Sequence, residues 1–237
     1  MIAVLMDPDK ASKEAIVKLA EHPAFQSVDF VFVGGSLVTE GQMSVCLESL
    51  KEHTNKPLII FPGNPNQIDS QADSILLLSL ISGRNPDLLI GKHVESAQQL
   101  KKSGLEVIPT SYILIDGGKT TTVSYISNTI PIPQDKPDIA SSTALAGELL
   151  GYKLCYMDCG SGAKWPVHPD LIKKVKQEIN VPLIIGGGIR TKNQAEAIFK
   201  AGADIVVVGN KLEEDPQFLE DLVLAKHQFN SASVQTP

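Results

Sequence analysis

Eight short apolar runs recur along the 237-residue chain, and amphipathic stretches separate most of them. The runs are Ile2–Met6, Phe30–Val33, Pro57–Phe61, Ile75–Leu80, Glu106–Ile108 with a continuation near Tyr112–Ile115, Lys153–Asp158, Leu183–Ile185 and Ile205–Val208. Segments such as Leu-Ile-Ile and Ile-Val-Val-Val offer no polar face, so as strands they must be buried on both sides, as in a parallel sheet. Eight strand-helix units in one chain of this length match a single (β/α)8 TIM barrel, a fold of about 250 residues. An open doubly wound sheet has the same alternation but places a GxGxxG turn after its first strand. Here the glycine motifs come late. The expectation is one barrel domain over residues 1–229, with 230–237 as a flexible tail.

Helix signals support this frame. In His168–Ile179 the apolar positions Leu171, Ile172, Val175 and Ile179 share one helical face. Thr191 followed by Gln194 reads as a capping box, and Asp215-Pro216 as an N-cap with proline at the first helical position. Asp135–Gly151 begins with a candidate capping aspartate and ends at glycine. Two regions break the rhythm. Pro62–Asp73 is turn-rich where a third helix belongs, so that helix is expected to be short or missing. Asp116–Pro133 is a long insert whose Thr120–Ile126 is β-prone by composition, and inserts of this length are commonly functional.

The net charge of −6 lacks the basic excess of a nucleic-acid binder. Cys46, Cys155 and Cys159 form no CxxC pair, and the last two lie too far apart along one strand for a disulfide. The opening Met1–Asp7 lacks a charged leader, and no apolar run approaches the ~20 residues that cross a bilayer. A reducing, cytoplasmic setting with at most peripheral membrane contact is expected. The five histidines form no HxH or HExxH spacing, so zinc is not expected. His93 and Arg84 are expected near the mouth of the barrel, His93 in a surface role.

The strongest chemical signal is Gly186-Gly187-Gly188-Ile189-Arg190 together with Gly209-Asn210, each directly after a strand. Glycines let backbone N–H groups approach an anion, and the helix beginning near Thr191 adds its positive end. Loops after strands seven and eight of barrels recurrently bind phosphate. A single such turn would fit tight chain reversal equally well; two at these positions favour phosphate.

Tyr156-Met157-Asp158-Cys159-Gly160-Ser161-Gly162-Ala163 is the second signal. Strand alternation puts Tyr156 and Asp158 on one face, and Cys155 and Met157 on the other. Asp158 can accept from a polyol, while Gly160, Ser161 and Gly162 can donate to phosphate; capping of a turn by Asp158 and burial of Tyr156 in the core explain these residues as well. Asp7-Pro8-Asp9-Lys10 and Gly34-Gly35-Ser36 close the first two strands. Asp7 and Ser36 can share a Mg2+ that takes its other oxygens from substrate phosphates, although Asp-Pro also forms turns. Asp9 and Lys10 read as solvated.

Taken together, Asp7–Lys10, Gly34–Ser36, Phe61–Asn64, Ser82–Pro86, Pro131–Pro133, Tyr156–Ala163, Gly186–Arg190 and Gly209-Asn210 resemble the geranylgeranylglyceryl phosphate synthase family, including its bacterial heptaprenylglyceryl phosphate synthase relatives. The resemblance implies prenyl transfer from a polyprenyl diphosphate, geranylgeranyl diphosphate foremost, to sn-glycerol 1-phosphate in phospholipid biosynthesis. It also implies Mg2+ on Asp7 and Ser36, an altered third helix and a homo-oligomer, dimer or hexamer. Tyr156, Asp158, Gly160, Ser161, Gly162, Gly187, Gly188, Gly209 and Asn210 would surround glycerol 1-phosphate, with Tyr156 and Asp158 catalytic. The chain departs from the family at Asp158, commonly glutamate, and at Leu88 and Leu89, where aromatic residues are frequent. A sugar-phosphate isomerase or synthase, and a catalytically silent phosphate-binding barrel, are the alternative readings.

Overall fold

A computed structural model of the protein describes residues 1–35, 42–64 and 67–233. Its strands are β1 Ile2–Met6, β2 Phe30–Gly34, β3 Leu58–Phe61, β4 Ser74–Leu80, β5 Glu106–Leu114, β6 Leu154–Asp158, β7 Leu183–Gly186 and β8 Ile205–Val208. Each pairs in parallel with its sequence neighbour, and β8 pairs with β1, closing the barrel. The expected (β/α)8 fold is the one observed.

Period-two alternation sorts the strand side chains. Phe32, Leu76, Tyr112, Tyr156, Ile184 and Val207 fill the barrel interior. Val4, Ile60, Ile113, Met157 and Ile185 face outward and pack under the helices. Both faces are thus buried, which explains the unbroken apolar runs. Strand β5 is continuous where its sequence looked interrupted. Pro109 lacks an N–H, yet its carbonyl accepts from Lys153 N at 2.8 Å, and the β4–β5 register holds from Ser74 opposite Glu106 to Leu80 opposite Tyr112.

The helices are α1 Lys13–Ala20, α2 Met43–His53, α3 Lys92–Ser103, α4 Thr122–Ser127, α5 Pro137–Leu149, α6 Pro169–Glu178, α7 Lys192–Lys200, α8 Asn210–Glu214 and α9 Phe218–Ser233. No helix occurs between β3 and β4 among the described residues, in line with the altered third unit expected there. The Thr191–Gln194 capping box forms at the start of α7.

Three local expectations are corrected. Thr120–Ile126 is not extended: the reciprocal capping bonds of Thr121 and Ser124 start α4, outweighing the β preference of threonine. Helix α5 takes Pro137, not Asp135, at its entrance; proline has φ set for a first helical position and needs no N–H partner there. Asp215 caps a turn, accepting from Gln217 N at 3.2 Å, and α9 follows from Phe218. Helix α9 continues to Ser233, while 234–237, part of the expected tail, lie outside the described residues.

Candidate active site at the C-terminal rim

Strand β6 carries Tyr156 and Asp158 into the barrel, as alternation required. Asp158 is 8% exposed. Its Oδ1 accepts from Gly160 N at 2.8 Å and its Oδ2 from the Tyr112 hydroxyl at 2.6 Å. Burial pushes the carboxyl pKa up, and those two hydrogen bonds pull against the rise without cancelling it. Burial, reinforced by the Asp158 charge, holds the Tyr112 and Tyr156 phenols well above their ordinary range. The two rings stack edge to face at 5.5 Å, with Phe61 beside both.

Glycine makes this arrangement possible. A Cβ on Gly186 would lie 2.5 Å from the Tyr156 hydroxyl, and one on Gly187, at φ +80°, would lie 2.6 Å from Asp158 Oδ1. The ends of β6 and β7 therefore meet backbone against side chain, an approach that a Cβ on either glycine would block. Ser161 Oγ donates to Asn210 Oδ1 at 2.8 Å, tying the loop after β6 to that after β8.

The insert after β5 packs on the β6 loop. Lys164 N donates to Gly117 O at 2.8 Å, and the Trp165 ring lies so close to Gly118 that a Cβ there would meet it at 2.5 Å. Gln134 fastens three segments at once: its Nε2 donates to Asp116 O at 2.7 Å and Pro166 O at 3.0 Å, and its Oε1 accepts from His168 N at 2.8 Å. Lys119 projects from this insert, its ammonium 3.3 Å from the point a Cβ on Gly162 would occupy.

Across the mouth, Asp7 ends β1. Its Oδ1 accepts from Asp9 N at 3.2 Å, and Lys10 Nζ sits 3.0 Å from its Oδ2 and 3.8 Å from Glu213 Oε2. Lys10 is exposed, as expected, and pairs with the carboxylate at the surface. Gly35 brings the end of β2 beside Asp7, since a Cβ there would be 3.8 Å from the carboxyl carbon. Ser36 lies outside the described residues. Among the described residues no cluster of three or more His, Cys, Asp or Glu could hold a metal. A lone, part-exposed carboxylate fits Mg2+, which keeps waters and binds through one or two carboxylates plus substrate oxygens.

An apolar groove is walled by Phe61, Leu77, Leu80, Leu88, Leu100, Val123 and Tyr112, and the Tyr112 hydroxyl links it to Asp158. His93 also lines it, with Nε2 2.9 Å from Ser79 Oγ, and burial lowers its pKa. His93, expected near the mouth, is half-buried there, its ring reaching Ser79 of β4.

A model of the PcrB family matches residues 2–226. The chain belongs to the PcrB family. A geranylgeranylglyceryl phosphate synthase of Spirosoma linguale is 52% identical over 233 residues, covering 98% of this chain and 94% of that protein. One from Thermococcus kodakarensis is 45% identical over 212 residues, covering 89% and 83%. The crystal structure of the (S)-3-O-geranylgeranylglyceryl phosphate synthase of Thermoplasma acidophilum in complex with its substrate sn-glycerol-1-phosphate superposes with a TM-score of 0.89 at 33% identity, covering 95% of this chain and 92% of that one.

In this PcrB-family barrel, Tyr156, Asp158, Gly160, Ser161, Gly162, Gly187, Gly188, Gly209 and Asn210 gather on neighbouring strand ends β6 to β8. Asp7 closes β1, the strand next to β8. The sequence reading missed Tyr112. The available signal was register: Tyr112 has the same parity as Leu114 and faces Tyr156 across the β5–β6 ladder.

Proposed function

We propose that this chain is a Mg2+-dependent prenyltransferase that joins sn-glycerol 1-phosphate to a polyprenyl diphosphate, geranylgeranyl diphosphate foremost, in phospholipid biosynthesis. The observation that carries this reading is the buried carboxylate of Asp158, which lies against the glycine turn after β7 and is hydrogen-bonded to Tyr112, a residue that lines the apolar groove. A sugar-phosphate isomerase needs the rim but has no use for the groove.

In the proposed reaction the loops at Ser161-Gly162, Gly187-Gly188 and Gly209-Asn210 hold the phosphate through main-chain N–H groups, the Ser161 hydroxyl turning from Asn210 to donate to it, while Gly160 N stays with Asp158. The free glycerol hydroxyl faces Asp158. Burial makes Asp158 a stronger base than a solvated aspartate, and it takes the hydroxyl proton as the oxygen bonds to prenyl C1. The C1–oxygen bond to diphosphate breaks in the same displacement, and the Tyr156 ring flanks the cationic character that develops at C1. The groove from Tyr112 to Leu100 takes the tail. Asp7 and Ser36 would hold Mg2+, which when bound supplies positive charge to the leaving diphosphate. Family resemblance further supports a cytoplasmic homo-oligomer, dimer or hexamer, and no described helix is long and apolar enough to cross a membrane.

The test offers purified protein, Mg2+ and labelled sn-glycerol 1-phosphate with a ladder of prenyl diphosphates. An ether-linked prenylglyceryl phosphate, absent with sn-glycerol 3-phosphate, is expected; no product with any chain length overturns the reading.

A further inference from the structure

We infer that Lys119 is a substrate-binding residue, a cation that closes over the phosphate of glycerol 1-phosphate opposite the amides of the β6 loop. The inference rests on the proposed phosphate role of Ser161-Gly162 and adds a charge that role lacks.

A phosphate monoester near neutral pH carries up to two negative charges, and backbone amides answer them only with partial ones. Lys119 supplies a full charge at the right edge. Its ammonium lies 3.3 Å from where a Cβ on Gly162 would stand, so it rests against the bare Cα of the loop. Gly162 adopts φ +73°, a conformation that itself favours glycine. The root of Lys119 is fixed rather than trailing: Gly117 O accepts from Lys164 N at 2.8 Å and Gly118 packs under Trp165. The neighbouring Asp116 carboxylate is turned back to accept from Gly118 N at 2.8 Å. Lys119 forms no ion pair among the described residues, although thirteen other contacts between cationic and acidic groups form there. A lysine held against Gly162 of this glycine loop without a carboxylate partner is placed to meet an incoming anion.

The test compares wild type, Lys119→Gln, Lys119→Arg and Ser161→Ala in steady-state assays at saturating prenyl diphosphate and two salt concentrations. Lys119→Gln should raise the KM for glycerol 1-phosphate roughly tenfold, the effect of losing one charge-assisted hydrogen bond. The kcat and the KM for prenyl diphosphate should stay within twofold, and Lys119→Arg should recover most of the loss. The wild-type KM for glycerol 1-phosphate should rise with salt more steeply than that of Lys119→Gln, a difference that a merely structural role would not produce. If Ser161→Ala raises this KM and Lys119→Gln does not, the inference fails while the loop's phosphate role stands. If neither variant changes it, both fail.

Discussion

The Tyr112 hydroxyl donates a 2.6 Å hydrogen bond to Asp158 Oδ2, and the same side chain lines the apolar groove. One side chain thus touches both the groove proposed for the prenyl tail and the carboxylate proposed to face the headgroup. The contact joins residues 46 apart in sequence and depends on the β5–β6 register, which sets Tyr112 opposite Tyr156.

Replacing Tyr112 by phenylalanine keeps the ring and removes only the donor. A hydrogen bond to a charged group contributes about 1.5–3 kcal/mol to stability, so the variant should unfold at a lower denaturant midpoint, and kcat should fall because Asp158 loses the donor that orients it. The pH profile carries a separate signature. Asp158 acts as a base when deprotonated, and burial raises its pKa, so kcat/KM should rise with pH through a limb lying above the ordinary aspartate value of about 3.9. The Tyr112 bond favours the charged form, and its loss should move that limb to still higher pH. A limb that stays in place, or moves down, contradicts the assignment.

Gly186→Ala tests the close approach of β7 to Tyr156. The new Cβ would stand 2.5 Å from the phenol oxygen, so the ring must shift. Overpacking of this kind costs about 1–3 kcal/mol, visible as a lower denaturation midpoint, and activity should drop with it. An unchanged midpoint would mean the ring moves freely.

Asp7→Ala removes the one carboxylate at the end of β1 that fits Mg2+. Turnover should become undetectable at millimolar Mg2+, while calorimetric binding of glycerol 1-phosphate should persist, because the site proposed for that ligand lies on β6 to β8. Near-normal turnover would remove Asp7 from the metal site.

The sequence displays the barrel because its strands are buried on both faces, which leaves apolar runs such as Leu183–Ile185 and Ile205–Val208 that no exposed segment sustains. The glycine rim was equally legible, since each glycine loop follows its strand directly. Tyr112 was not, because Pro109 splits the apolar pattern of β5 even though the ladder continues through its carbonyl. Helix α4 was hidden by threonines that favour strands by composition yet cap helices by hydrogen bonding. The groove could not be read because its walls come from β3, β4, α3 and α4 and from the π-helical turn at Asp87–Gly91, segments brought together only by barrel closure.

The most direct measurement is single-turnover transfer by Asp158→Asn with saturating sn-glycerol 1-phosphate and geranylgeranyl diphosphate. Folding raises the Asp158 pKa, so its ionised form opposes folding at neutral pH, and removing the charge should not lower thermal stability. Asparagine is nearly isosteric but cannot take the hydroxyl proton. The account predicts a folded protein that binds glycerol 1-phosphate and forms the ether bond at least about a hundredfold more slowly. Transfer at the wild-type rate would contradict it.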